Sequence, residues 1–184
     1  MFAGSFASVS LLLAIGCQPA GPVESGTNQS IAKLTPPSTP QTPVTAVSDD
    51  VFDGQKVVKT DEEWRKLLSP DQFHVLREEG TERPYSGEYN DNKEKGTYSC
   101  AACRLKLFDS ETKYDSKTGW PSFYQPIVAK NVTDKPEPGV GDDRIEVECS
   151  RCGSHLGHVF DDGPKPTGLR YCMNSLALKF EKAK

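Results

Sequence analysis

Cys100-Ala101-Ala102-Cys103 and Cys149-Ser150-Arg151-Cys152 decide the fold of this chain. Two residues between thiols let one tight turn aim both sulfurs at a single point. Two such turns, with 45 residues between them, complete the tetrahedral sulfur set that Zn²⁺ favours. Gly153, directly after Cys152, suits the sharp turn of such a knuckle. Arg104 holds the equivalent place after Cys103 and is less accommodating. Two other chemistries fit the same residues: four Cys of an exported protein can form two disulfides, and a C-x-x-C can be a redox pair. A bridge within one C-x-x-C turn is strained, and redox chemistry leaves two equally spaced pairs unexplained. The expectation is therefore one structural zinc ion on Cys100, Cys103, Cys149 and Cys152, with no coordination position left open for chemistry.

Around these pairs the pattern is that of short strands. Ile145-Glu146-Val147-Glu148 alternates apolar and charged residues, as a half-buried strand does, and Leu169 to Phe180 reads as another, longer strand. Upstream, Thr60-Asp61-Glu62-Glu63 and Ser69-Pro70-Asp71-Gln72 each carry a helix-opening signature, the first a capping box and the second with Pro at the first helical position. The first helix is expected to run through Leu68 and the second to stop at Gly80. The fold class that results is mainly β, a small antiparallel domain led by two short helices.

Further out, the composition changes. Residues 18–55 are rich in Pro, Thr, Ser, Gln and Gly, a composition that buries too little apolar surface to offset backbone ordering, and they read as an extended tether. The first 16 residues carry no charge, and the apolar run Val9 to Ile15 leads to Gly16-Cys17. An apolar stretch followed by small residues is an export signal, and Leu13-Ala14-Ile15-Gly16-Cys17 resembles a bacterial lipobox whose Cys17 becomes lipidated. Residues 1–17 are thus read as a lipoprotein signal, 18–55 as tether and 56–184 as the domain. The expected location is the outer face of a bacterial membrane, with a cytoplasmic chain as the alternative. Only 35% of the 184 residues are hydrophobic, against about 45–50% apolar in a fully folded globule, which agrees with an unstructured tail. A net charge of −4 disfavours nucleic-acid binding, which needs clustered Lys and Arg on phosphate.

Cys172 has no C-x-x-C partner. In a strand, Arg170, Cys172 and Asn174 share one face, and a guanidinium beside a thiol favours the nucleophilic thiolate. His155 and His158 lie upstream in a segment that also holds Asp161 and Asp162, and imidazole is the natural proton donor near neutral pH. A free Cys alone is more often a buried structural thiol. The combination with Arg and two His meets the specification of a cysteine nucleophile with general acids.

Gly119-Trp120-Pro121-Ser122-Phe123, the run from Cys149 through His155-Leu156-Gly157-His158 to Pro164, and Pro166 to Ser175 together resemble the signature blocks of the B-type peptide-methionine (R)-S-oxide reductases. The resemblance spans about Thr60 to Phe180. It implies two antiparallel sheets packed as a β-tent, with the four-Cys zinc opposite the active site. It also implies that Cys172 attacks the sulfoxide sulfur and that His155 and His158 orient or protonate the oxygen. Arg170, Asp162 and Asn174 would complete the polar site, with Trp120 and Phe123 at the substrate. In one place the chain departs from the family. Many members carry a second, resolving cysteine in Ser-Gly-Cys-Gly-Trp-Pro, where this chain has Ser116-Lys117-Thr118-Gly119-Trp120-Pro121. With Thr118 in place of that thiol, regeneration of Cys172 falls to an external reductant, a thioredoxin-like dithiol or a small thiol. The expected protein is a monomer acting on methionine-R-sulfoxide, free or in proteins. The rival reading is a non-catalytic zinc-bearing β module that holds a small ligand or peptide through Trp120.

Overall fold

The computed structural model describes residues 50–137 and 144–184, all within one compact unit spanning Pro43–Lys184. The expected lipoprotein signal, Cys17 and the tether up to residue 49 lie outside the described residues. The end of the tether is corrected. Asp50 to Gln55 already belong to the domain: the Phe52 N–H donates to Asn131 Oδ1 (2.8 Å) and Asn131 Nδ2 donates to the Asp50 carbonyl (3.0 Å). Two apolar residues, Val51 and Phe52, are too few to mark the boundary by composition; the backbone is held by a buried Asn far along the chain.

Both helices begin as their sequences require. In α1 (Asp61–Leu67) the Thr60 hydroxyl accepts from the Glu63 N–H while the Glu63 carboxylate accepts from the Thr60 N–H, and Ser69 and Gln72 do the same for α2 (Pro70–Arg77). Each reciprocal pair satisfies two of the unpaired N–H groups of a helix start. The helices bury Trp64, Phe73, Val75 and Leu76 against the sheets. The second helix ends three residues before Gly80, because Glu79 turns the chain at φ 55°.

All strands pair antiparallel. A three-stranded sheet has the order β2 (Lys106–Asp109), β1 (Gly96–Cys100), β9 (Leu178–Lys182). A six-stranded sheet has the order β3 (Lys113–Tyr114), β4 (Ser122–Phe123), β8 (Arg170–Met173), β7 (His155–Phe160), β6 (Ile145–Cys149), β5 (Val132–Pro136). The sheets meet through aromatic rings. Phe123 of the large sheet stacks on Phe108 at 4.5 Å between centroids and receives the edge of Tyr98 at 5.1 Å, both from the small sheet. Offset and edge contacts of this kind add about 0.5–1.5 kcal/mol each beyond the area they bury.

Two sequence expectations change here. The segment Leu169 to Phe180 is two strands in different sheets, parted by a 3₁₀ turn at Ser175–Ala177. That turn carries the chain from one sheet to the other. Phe123, expected at the substrate, is 0% exposed and belongs to the aromatic contact between sheets, since its position on β4 points it into the core.

Candidate active site and metal centre

The two C-x-x-C turns come from different sheets: Cys100 ends β1 and Cys149 ends β6. The turns match each other. The Arg104 N–H donates to the Cys100 carbonyl (2.9 Å), and the Gly153 N–H donates to the Cys149 carbonyl (2.8 Å). Arg104 has φ 68° and Gly153 φ 64°, so the left-handed turn that Gly makes freely is made by Arg at a cost of about 1–2 kcal/mol. The four sulfurs lie within 4.8 Å of one another, with Cys100–Cys152 at 3.7 Å and Cys103–Cys149 at 3.5 Å. A tetrahedral ion with sulfur bonds of about 2.3 Å separates its ligands by about 3.8 Å. The set can therefore hold one metal ion.

The second site is built by strand register. Tyr114 pairs with Ser122, Ser122 with Cys172, Cys172 with His158, His158 with Glu146 and Glu146 with Lys135. Residues directly opposite in antiparallel strands share a face, so these six form one polar row across the whole large sheet, with Cys172 inside it. Close strand approach at its centre requires Gly157, where a Cβ would stand 2.1 Å from the Cys172 carbonyl oxygen.

His155 and His158 are three residues apart on β7, and a regular strand would send them to opposite faces. The β6–β7 register shifts between Val147 and Glu148, where Val147 pairs with Gly157 but Glu148 with His155. This bulge inserts one extra residue and turns the alternation over. The two imidazoles consequently lie 5.3 Å apart between centroids. His155 is 4% exposed, and its Nδ1–H donates to Glu146 Oε1 (2.8 Å); Glu146, 1% exposed, takes Lys135 Nζ on its other oxygen (2.9 Å). Burial pushes the Glu146 carboxyl up, but the Lys135 and His155 hydrogen bonds outweigh it and hold the group below the usual carboxylate range. His155 Nε2 is buried without a hydrogen-bond partner among the described residues.

A cleft of about 130 Å³ is lined by Trp120, His158, Cys172, Asn174, Phe160, Arg144, Thr81 and Gly157. Of the residues singled out in the sequence, Cys172, His158, Trp120 and Asn174 thus meet at one small cavity, while His155 stands behind His158. Asn174 lies past the end of β8: its Nδ2 donates to the Leu156 carbonyl (3.2 Å) and its Oδ1 accepts the Glu82 N–H (3.1 Å). Trp120 Nε1 donates to the Glu82 carbonyl (3.1 Å), which fixes the indole edge. Arg170 makes a two-point pair with Asp162 (2.7 and 2.8 Å) and lies over the Phe160 ring. The Asp162 pair and, less strongly, the neighbouring Cys172 hold the Arg170 pKa up.

Three residues at or behind the site escaped the sequence reading. Arg144 Nη2 sits 3.0 Å from His158 Nε2 and 3.3 Å from its Nδ1, and a Glu137 carboxylate oxygen lies 3.3 Å from the same Nε2. Burial, then the charges of Arg144 and His155, push the His158 pKa down against the opposing pull of Glu137. His158 is therefore neutral at neutral pH and donates as an imidazole. Glu82, whose carboxylate accepts from the Ser175 and Leu176 N–H groups (2.6 and 3.0 Å), holds both Trp120 and Asn174 through its backbone. No local spacing marks any of them, because Arg144 and Glu137 meet His158, and Glu82 meets Trp120 and Asn174, through tertiary pairing alone.

Comparison with known proteins follows this geometry. Residues 68–182 match the SelR domain family. The chain is 60% identical over 128 residues, 69% of its own length and 90% of the relative's, to a protein of Methanosarcina barkeri named peptide methionine sulfoxide reductase MsrB. It is 54% identical over 127 residues, covering 97% of the relative, to a protein of the same name from Leptospira interrogans.

Removing the Arg144 charge is expected to relieve His158. In Arg144→Met the His158 ring titration, followed by NMR of its carbon-bound protons, moves to higher pH than in the wild type; a midpoint that stays or falls would contradict the assignment.

Proposed function

The chain belongs to the SelR-domain family of B-type methionine sulfoxide reductases, and on that basis we propose that it reduces methionine-R-sulfoxide in oxidised proteins through Cys172. The observation that carries this reading is the cleft itself, where one thiol, one neutral imidazole and one indole converge.

The chemistry balances as follows. The Cys172 thiolate, with Arg170 on the same strand face, attacks the sulfoxide sulfur. His158 donates a hydrogen bond to the sulfoxide oxygen, which is a poor leaving group until it gains a proton. The oxygen takes up the proton that the Cys172 thiol released into the cleft and passes to the Cys172 sulfur as a sulfenic acid, and methionine is released: the enzyme sulfur loses two electrons and the substrate sulfur gains them. The indole of Trp120, its N–H already bound, offers apolar surface to the S-methyl group. Methyl on Trp120 and oxygen on His158 are separate, fixed contacts, and handedness follows from them. Asn174 and the Arg170–Asp162 pair hold the surrounding polar frame.

Regeneration is external in this reading. Among the described residues, the other four cysteines form the metal cluster, and Thr118 stands where a resolving thiol would. Two thiols of an outside donor, thioredoxin-like or small, reduce the sulfenic acid, yielding one disulfide and one water. The ion held by the four Cys is zinc, chosen by an all-sulfur tetrahedral set, and it links the sheets without entering the reaction. In this reading the protein acts as a monomer. The charge-free apolar start and the lipobox-like Leu13 to Cys17 support export and a lipid anchor at Cys17.

With dithiothreitol as donor, the wild type should reduce the R epimer and leave the S epimer, and Cys172→Ser should lose about 10³-fold or more of the rate. Activity retained in Cys172→Ser would leave the β-module reading standing. Mapping of the oxidised wild type should find no intramolecular disulfide to Cys172. Extraction of the metal by a strong chelator should unfold the domain cooperatively and release one zinc per chain by elemental analysis, because the site and the fold form together. In a bacterial host, a clickable fatty-acid label should enter the full chain and be absent from Cys17→Ser; an unlabelled wild type would refute the anchor.

A further inference from the structure

Beside Cys172 lies a set of hydroxyls that the reaction above does not use. Thr118 Oγ1 is 3.8 Å from Cys172 Sγ, Ser116 Oγ is 2.8 Å from Thr118 Oγ1, and Ser122 Oγ is 2.7 Å from Ser116 Oγ. Ser122 Oγ also lies 3.2 Å from the Trp120 carbonyl oxygen. Ser122 is fully buried and is the register partner of Cys172 on the neighbouring strand. The four groups thus form an unbroken line from the sulfur to a main-chain carbonyl.

We propose that Thr118, backed by Ser116 and Ser122, is a further catalytic residue that donates a hydrogen bond to the Cys172 thiolate through a reversible chain of hydroxyls. The proposal rests on Cys172 being the nucleophile.

The proton inventory supplies the argument. Each hydroxyl has one proton to give and lone pairs to receive, whereas the Trp120 carbonyl can only receive. With the sulfur protonated, the S–H donates to Thr118, Thr118 to Ser116, Ser116 to Ser122 and Ser122 to the carbonyl. With the sulfur anionic, Thr118 turns its proton onto the sulfur, Ser116 turns to Thr118, and Ser122 keeps the carbonyl or turns to Ser116. Both states keep the sulfur hydrogen-bonded to Thr118; in the anionic state three hydroxyl protons serve four links, so one neutral bond at the far end is given up, and the change needs only rotation of hydroxyl protons. A chain aligned one way strengthens each bond in it, and a donor to a charged sulfur counts for more than one to a neutral sulfur. The arrangement therefore favours the thiolate. It is not a proton exit, because the carbonyl at its far end cannot take a proton on; the sulfur's proton leaves on the cleft side. No bond to sulfur forms or breaks in these rotations. The position that would otherwise carry a resolving thiol thus activates the nucleophile in place of relieving its oxidised form.

The test uses the full chain, reduced and freed of reductant, with iodoacetamide as probe and modification of the Cys172 peptide followed by mass spectrometry at pH 7. Thr118→Val keeps the shape and removes the hydroxyl; its rate is expected to fall about tenfold or more, the lower end of what one charge-assisted hydrogen bond contributes. Thr118→Ser should react as the wild type does, and Ser116→Ala, which leaves Thr118 in place but cuts its upstream donor, should slow by a smaller factor. Wild-type reactivity in Thr118→Val, or equal slowing in Thr118→Ser, overturns the proposal. Should Thr118→Val melt below the assay temperature, the Ser116→Ala rate decides: unchanged, it overturns the chain; slowed, it supports it. A wild type inert toward the R epimer sinks the reductase reading and leaves these alkylation rates to be judged separately.

Discussion

The structure depends on four thiol sulfurs that join two sheets. Cys100 leaves the end of β1 and Cys149 the end of β6, so an ion held by both knuckles ties the three-stranded sheet to the six-stranded one at a single point. An ion bound there would add its binding free energy to the stability of the core. The aromatic contact of Phe108, Phe123 and Tyr98 provides the second fastening. Between them, the two fastenings set how the sheets face each other and hence where β8, shared with neither knuckle, comes to lie.

The cleft draws its precision from the large sheet. Six polar residues in register, from Tyr114 to Lys135, would be a poor choice for a buried face unless each found a partner. Most do: Ser122 in the hydroxyl chain, His158 with Arg144 and Glu137, Glu146 with Lys135 and His155. A row of hydrogen-bonded strands is rigid, which suits a reaction whose selectivity rests on two fixed contacts to one small group. Loops contribute the rest. Trp120 and Asn174 lie outside the regular strands and are held from one residue, Glu82.

Thr118 shows how a single substitution at a reactive centre can move a residue from one role to another. A thiol there would resolve the sulfenic acid; a hydroxyl cannot, yet it lies within hydrogen-bonding reach of the same sulfur. In the proposed reaction the division of labour then shifts outward, to thiols supplied by the surroundings.

The sequence by itself determined those features whose cause is local. The capping pairs Thr60–Glu63 and Ser69–Gln72 open helices because the partners sit three residues apart, and each C-x-x-C closes a knuckle for the same reason. The candidate nucleophile Cys172, the histidine pair and Trp120 were likewise legible as residue types suited to one chemistry, strengthened by the family resemblance. Only the tertiary structure decided the remainder. The bulge that brings His155 round to Glu146, the break that divides Leu169 to Phe180 between two sheets, the burial of Phe123, the arrival of Arg144 at the cleft and of Glu82 behind Trp120 and Asn174 all arise from pairing between distant segments. Strand register is a property of two segments together, and a one-residue shift reverses which face a side chain takes. No pattern within either segment alone carries that information.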